Sequence, residues 1–312
     1  MQQKWRIKME IGNFVEMVKT NVEKILGKEY EIIVKESEKN NGVIYTGLSI
    51  RKIGLSVAPL IYLNEHFEKY NSGCITIEET VEYVIKFSKS KCPIAIGSQF
   101  LNYDSARKNI VYRLINTKRN KELLEDIPHI EFLDLSIVFC YLITEESFGS
   151  AFILIHKTHM EMWNVTTEEL FQTARENTQK LEGYEIQSMA DVLYDIMKAG
   201  NSTEIIFDKS TEALQEDIPL YVLSNKNKVE GAACMLYPNL FRNFADVIGS
   251  SFYIIPSSIH ELLLLPAESM GGDKEFINMI KVINDTQVAP EEILSYSLYY
   301  YDKEEDKVFI CC

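Results

Sequence analysis

The chain has 312 residues, 46% of them hydrophobic and 25% charged, which is enough to bury a large core without disulfide or metal staples. Its 32 basic and 46 acidic residues give a formal charge of -14, which argues against non-specific binding to nucleic acid or anionic lipid. No run approaches the ~20 consecutive apolar residues of a membrane-spanning helix.

Residues 1–10 alternate charged and apolar types and show no signal-peptide core. None of the six cysteines has C-x-x-C spacing. These features predict a reduced, cytoplasmic protein with no membrane partner.

Residues 1–9 are expected to form a flexible lead-in. From Glu10, apolar residues at Ile11, Phe14, Val15, Val18, Val22, Ile25 and Leu26 fall at helical spacing, and Gly27 follows as a C-cap. Residues 30–35 and 43–50 read as strands around an Asn40-Asn41-Gly42 turn, with a third strand over 54–58. Thr76 and Glu79 have capping-box spacing before a helix that turns Ile77, Val81, Val84 and Ile85 inward. The next helix is predicted over 104–116, with Ala106, Ile110, Val111, Leu114 and Ile115 inward. The polar run 117–122 is the best boundary. It divides an N-terminal α+β region (10–118) from a C-terminal α+β region (119–312), unless the two form one unit.

Residues 131–143 and 150–155 read as an antiparallel pair. Thr166 and Glu169 supply a second capping box for a helix to 181. Ser188 caps another, with Val192, Leu193, Ile196 and Met197 inward. Strands are predicted over 220–223 and 232–236, around a turn at 225–228. Pro238 starts a helix that Gly249 ends. Strands follow over 252–255 and 259–265. Asp273 caps a helix over 275–283, and Pro290 opens another before Glu291 and Glu292. Residues 296–301 and 308–310 close as a hairpin. Neighbouring elements pair antiparallel, so the fold class is α+β, with mostly antiparallel sheets and packed helices.

Several strings carry a family resemblance. They are Tyr237-Pro238, the string Pro256-Ser257-Ser258-Ile259-His260-Glu261 with residues 252–255 before it, and residues 286–292. Pro128-His129-Ile130 and residues 131–135 join them. Together they resemble an uncharacterised bacterial family of clostridia, domain of unknown function 5688, over nearly the whole chain. Residues 163–170 with Ala174 and Asn177 are similar to a second uncharacterised bacterial family. Neither resemblance implies an activity, a cofactor or site residues.

Hydroxyl, imidazole and carboxylate crowd together at Ser257, Ser258, His260 and Glu261. A hydrolase needs a nucleophile, a base and an orienting acid. On an extended strand, His260 and Glu261 point to opposite faces and cannot act together. The serines are then expected to bond local backbone. His156 and His159, three apart on a helix, would share a face for a metal. With H-E-x-x-H and a third ligand missing, no metal and no cofactor is expected. Arg107, Lys108 and Lys118 would form one basic stripe on the helix over 104–116 and its end. RNA or phosphate would need such a stripe, and a solvated face is the plainer account. Tyr299 and Tyr301 offer aromatic surface to a partner unless something covers them. The leading expectation is a binding or interaction module without catalytic activity, for a protein or small ligand. A hydrolase at Ser257 or Ser258 with His260 is the first alternative. RNA or phosphate binding through 107–121 is the second.

Overall fold

Helix α1 (Ile11–Leu26) forms where its apolar spacing predicts. It buries Phe14, Val15, Val18 and Val22 along one stripe and stops at Gly27, whose φ of 70° suits glycine. In this computed structural model the described residues are 9–54, 60–89, 97–145, 149–199, 219–269 and 273–311, in two units, residues 1–97 and 98–312. The expected lead-in lies outside the described residues except for Met9.

In the first unit, β1 (Tyr30–Glu38), β2 (Ile44–Lys52) and β3 (Leu60–Tyr62) form an antiparallel sheet in that order. The β1–β2 connection uses Asn41 and Gly42 at φ 64° and 71°, as the Asn-Asn-Gly turn predicts. A Cβ on Gly47 would lie 2.3 Å from the Ile61 carbonyl oxygen, so only glycine lets β2 and β3 meet there. Residues 55–58 of the predicted third strand are outside the described residues, and the strand found is β3. Helices α2 (Asn64–Asn71) and α3 (Ile77–Lys89) follow. The Thr76–Glu79 capping box is formed, with the Thr76 N–H donating to Glu79 Oε2 at 2.8 Å and the Glu79 N–H to Thr76 Oγ1 at 3.2 Å. Val81 and Val84 of α3 pack with Phe14 and Val18 of α1 and with Leu48, Ile50 and Ile61 of the sheet.

The second unit corrects one predicted helix. Residues 104–116 hold only the end of α5 (Tyr103–Ala106), which follows α4 (Gly97–Leu101), then a 3-10 turn Arg107–Asn109 and strand β4 (Ile110–Asn116). All seven β4 residues are buried. A strand covered on both faces carries an unbroken apolar run, which helical spacing also fits. β4 lies in the second unit's sheet. The two units part between Gly97 and Ser98.

After α6 (Lys121–Asp126), strands β5 (His129–Phe132), β6 (Leu135–Glu145) and β7 (Gly149–Leu154) complete a four-stranded antiparallel sheet. β6 pairs with β4 on one side and with β5 and then β7 on the other. Helices α7 (Lys157–Trp163) and α8 (Thr167–Glu182) come next. The Thr166–Glu169 capping box is formed at 2.8 and 3.2 Å. α8 also closes the outer edge of β4. Thr178 Oγ1 accepts from the Tyr112 N–H at 3.1 Å, and Asn177 Nδ2 donates to the Ile110 oxygen at 3.0 Å. These side chains take the place of a missing strand.

The remaining elements are β8 (Glu185–Ser188), α9 (Met189–Ala199), β9 (Tyr221–Ser224), α10 (Leu240–Ile248), β10 (Phe252–Ile255), β11 (Leu262–Pro266), α11 (Asp273–Thr286), β12 (Leu298–Asp302) and β13 (Lys307–Cys311). The strands form a six-stranded antiparallel sheet in the order β13-β12-β10-β11-β9-β8. Ser188 caps α9 as expected, accepting from the Asp191 N–H at 3.1 Å. The side chains of Ile196, Met197 and Asp273 lie outside the described residues. Ile280 of α11 packs on Ile255 and Leu298.

Three further expectations are corrected. Residues 232–236 belong to a buried 3-10 segment, Gly231–Leu236, rather than a strand. Pro290 sits in a turn closed by the Glu292 N–H on the Ala289 oxygen, not in a helix. β11 starts at Leu262, because residues 258–261 are held in a turn by other loops. The fold class is α+β with antiparallel sheets. No described helix is long and apolar enough to cross a membrane.

Candidate functional site

β10 ends at Ile255, and the Pro256–Glu261 elbow that follows is fastened on two sides. On one side, the Ala232 N–H donates to the Ile259 oxygen at 3.1 Å, and Ser224 Oγ donates to the His260 oxygen at 2.8 Å. On the other, the Ile259 N–H donates to the Glu292 oxygen at 2.8 Å. A Cβ on Gly231 would stand 2.2 Å from Ser224 Oγ and 2.6 Å from the Asn225 nitrogen and His260 oxygen, so the loop at 231 can approach only as glycine.

The four elbow residues are all engaged. His260 Nδ1 accepts from the Glu230 N–H at 3.0 Å. Its Nε2 then carries the proton and lies 3.4 Å from Glu292 Oε1. Ser258 Oγ accepts from the His260 N–H at 3.0 Å, and Ser257 Oγ donates to Glu261 Oε1 at 3.2 Å. His260 and Glu261 therefore serve different partners, through a turn rather than a strand. Each hydroxyl is committed elsewhere than to the ring.

The Glu230 whose N–H holds His260 leads to a second constellation. Glu230 has φ 53°, a left-handed conformation rare for a residue with a Cβ. Its Oε2 lies 2.7 Å from Arg113 Nε. Arg113 is only 2% exposed. Its Nη1 and Nη2 donate to Glu182 at 2.7 and 2.6 Å, its Nη1 also donates to the Tyr112 oxygen at 2.8 Å, and its guanidinium lies 4.3 Å over the Phe152 ring. One cation thus meets two carboxylates. Burial pushes the Glu182 carboxyl up; Arg113 opposes this and Glu230 adds to it. Burial works to lower the Arg113 pKa, but Glu230 and Glu182 outweigh it and raise it. In the sequence Arg113 falls inside the span 107–121 read as a basic, phosphate-binding candidate. The available signal was an arginine inside the apolar string Ile110-Val111-Tyr112-Arg113-Leu114-Ile115. Nearby, the Tyr112 hydroxyl is buried without a hydrogen-bond partner among the described residues. Burial pushes the Cys140 and Cys234 thiols up to about 12, leaving them protonated and unreactive.

A third polar centre forms at Asp134, in the turn between β5 and β6. It accepts from Ser295 Oγ at 2.6 Å, Ser297 Oγ at 3.0 Å and Tyr299 OH at 2.6 Å. Tyr299 is therefore interior, at 0% exposure. Tyr301 is 2% exposed, stacks on Phe252 at 5.0 Å, and donates to Asp306 at 2.5 Å. The aromatic surface expected at Tyr299 and Tyr301 is covered by the core and by Asp134.

The other candidates are separated. Arg107 and Lys108 lie in the 3-10 turn before β4, and Lys118 lies in the 3-10 turn after it. Without the predicted helix they share no stripe. His159 Nδ1 accepts from the His156 N–H at 3.0 Å, and its ring packs 5.0 Å from Phe100. Burial and, secondarily, His156 lower its pKa. Among the described residues no three metal-ligating side chains cluster. An open cleft of about 440 Å³ lies where α7 meets α8, lined by Pro128, Lys157, Met160, Glu161, Asn164 and Val165 among others.

No curated protein and no solved structure matches the chain. A model for a family of unknown function, DUF5688, matches residues 11–303, spanning both units and every segment that carried the resemblance, so the chain belongs to the DUF5688 family.

Proposed function

We propose that this protein is a non-catalytic binding or interaction module of the cytoplasm, acting on a protein segment or small ligand. The observation that supports the reading is the state of the elbow. The two nitrogens of His260 face the loops of Glu230 and Glu292, while the hydroxyls of Ser257 and Ser258 are engaged within the elbow, by Glu261 and by the His260 N–H. A hydrolase would need one ring nitrogen within reach of a hydroxyl. Here the imidazole acts as a fastener. The cleft beside α7 is the binding face assigned to the module. It combines the apolar Met160 and Val165 with the charged Lys157 and Glu161, a mixture suited to a small amphipathic ligand.

The test has two arms. A serine-reactive fluorophosphonate should leave the folded protein unlabelled. Labelling that disappears in Ser257→Ala or Ser258→Ala would overturn the non-catalytic reading. A fragment screen followed by amide NMR should perturb Lys157, Met160, Glu161 and Val165. Binding confined to some other surface would move the assigned face.

A further inference from the structure

The six-stranded sheet ends in two unlike edges. One is β8, with Glu185 and Gln187 along it. The other is β13, which among the described residues pairs only with β12. Edge strands are normally protected by a charge or a proline within the strand. In β13 the charge is confined to its first residue, Lys307, and the middle is Val308-Phe309-Ile310. Phe309 is 39% exposed and Ile310 is 42% exposed, and they point to opposite faces of the sheet. Among the described residues no strand lies beyond Val308-Phe309-Ile310, so this stretch of the edge presents its outward main-chain groups between two apolar flanks.

We propose that β13 is a homodimerisation edge, in which two copies of the chain pair their β13 strands antiparallel about a two-fold axis through Phe309. A second copy is the occupant for three reasons. First, facing residues in an antiparallel ladder share the same orientation toward the partner, so the axis of a self-pairing must fall on a residue rather than between two. Centred on Phe309, Val308 faces the partner's Ile310, and Phe309 faces its own counterpart. The three apolar residues are matched entirely among themselves, and the two Lys307 side chains stand at opposite ends. Centring one residue earlier sets Lys307 against phenylalanine and Asp306 against isoleucine. Second, the acidic hairpin residues Asp302, Glu304, Glu305 and Asp306 fall at the two ends of this ladder, away from the axis. Third, the pairing is closed. Joining β13 to the β8 edge of another copy would be head-to-tail, and would leave free edges unless many copies closed into a ring.

The proposal is independent of whether the elbow is catalytic. It also carries a salt signature. Each copy bears a formal charge of -14, so screening should strengthen the dimer rather than weaken it.

Sedimentation of the whole chain should show a monomer–dimer equilibrium that tightens with added salt. Phe309→Lys places like charges face to face at the axis. It should weaken dimerisation about tenfold or more, with an unchanged circular dichroism spectrum. Val247→Lys, at a residue 84% exposed on α10, should leave the equilibrium as it is. Facing Cα atoms in such a ladder are about 4.5–5.5 Å apart, within disulfide reach. Mild oxidation of Phe309→Cys should therefore link position 309 to itself, seen by peptide mapping, and Ile310→Cys should not self-link as readily. A wild-type chain that is monomeric at every concentration overturns the proposal. So does a dimer indifferent to Phe309→Lys, or one that forms no link through position 309.

Discussion

Two interior carboxylate centres in the second unit solve one problem in different ways. Glu182, with its side chain fully buried, is met by a cation, Arg113, that a second carboxylate also claims. Asp134, half-buried, is met by three neutral hydroxyls from one segment of chain, residues 295–299. Removing a charge from water costs several kcal/mol, and the protein can offset this with an opposite charge or with donors alone. The first solution is brittle, because loss of the single cation strands two anions. The second is graded, because each hydroxyl contributes a part. The charged centre also reaches the elbow, through the Glu230 whose N–H holds His260, so damage to it should spread.

The contrast is broken most directly by Arg113→Ala. Stranding Glu182 should lower stability by about 3–5 kcal/mol in urea unfolding. The paired change Arg113→Met with Glu182→Leu should recover most of the loss. If the double variant is no better than the single one, the cost lies in packing rather than charge. Asp134→Ala removes the acceptor of three hydroxyls and should cost about 2–3 kcal/mol, which the same unfolding experiment would resolve.

Gly231→Ala tests the link between the charged centre and the elbow. Its Cβ would meet backbone atoms at 2.6 Å, and a loss of about 2 kcal/mol is expected, with altered NMR shifts at His260. Unchanged shifts at His260 would show that the two are not coupled. Tyr299→Phe takes one donor from Asp134 and leaves two, so about 1 kcal/mol is expected. A loss as large as that of Asp134→Ala would show that this centre is not graded.

The finest difference is in pH. Burial raises the folded-state pKa of Glu182 above its ordinary 4.5. A raised value means that its contribution is fully present below 4.5 and declines as pH rises through the folded value. The stability difference between the natural chain and Glu182→Gln should therefore shift against the natural chain as pH climbs above that point. A difference that does not change with pH would argue that Arg113 holds Glu182 ionised throughout.

Local features were readable before the fold was known. α1, the capping boxes at Thr76 and Thr166, the Asn40-Asn41-Gly42 turn and the closing hairpin all depend on residues a few positions apart. The divergence of His260 and Glu261 was also expected, although the reason given was a strand and the cause is a turn. β4 was misread because its burial on both faces depends on α8 and on neighbouring strands. Arg113 was misplaced with it, and Tyr299 looked exposed because its cover, Asp134, lies 165 residues away.

Short-range chemistry thus wrote the α+β class and many of the helix starts into the chain, because capping, turn formation and apolar periodicity act within one or two turns of backbone. Which arginine is buried, which tyrosines face inward and what His260 binds were settled by contacts spanning tens of residues or more. Those contacts exist only after the sheets have assembled, since burial is a property of the whole fold and not of any segment within it.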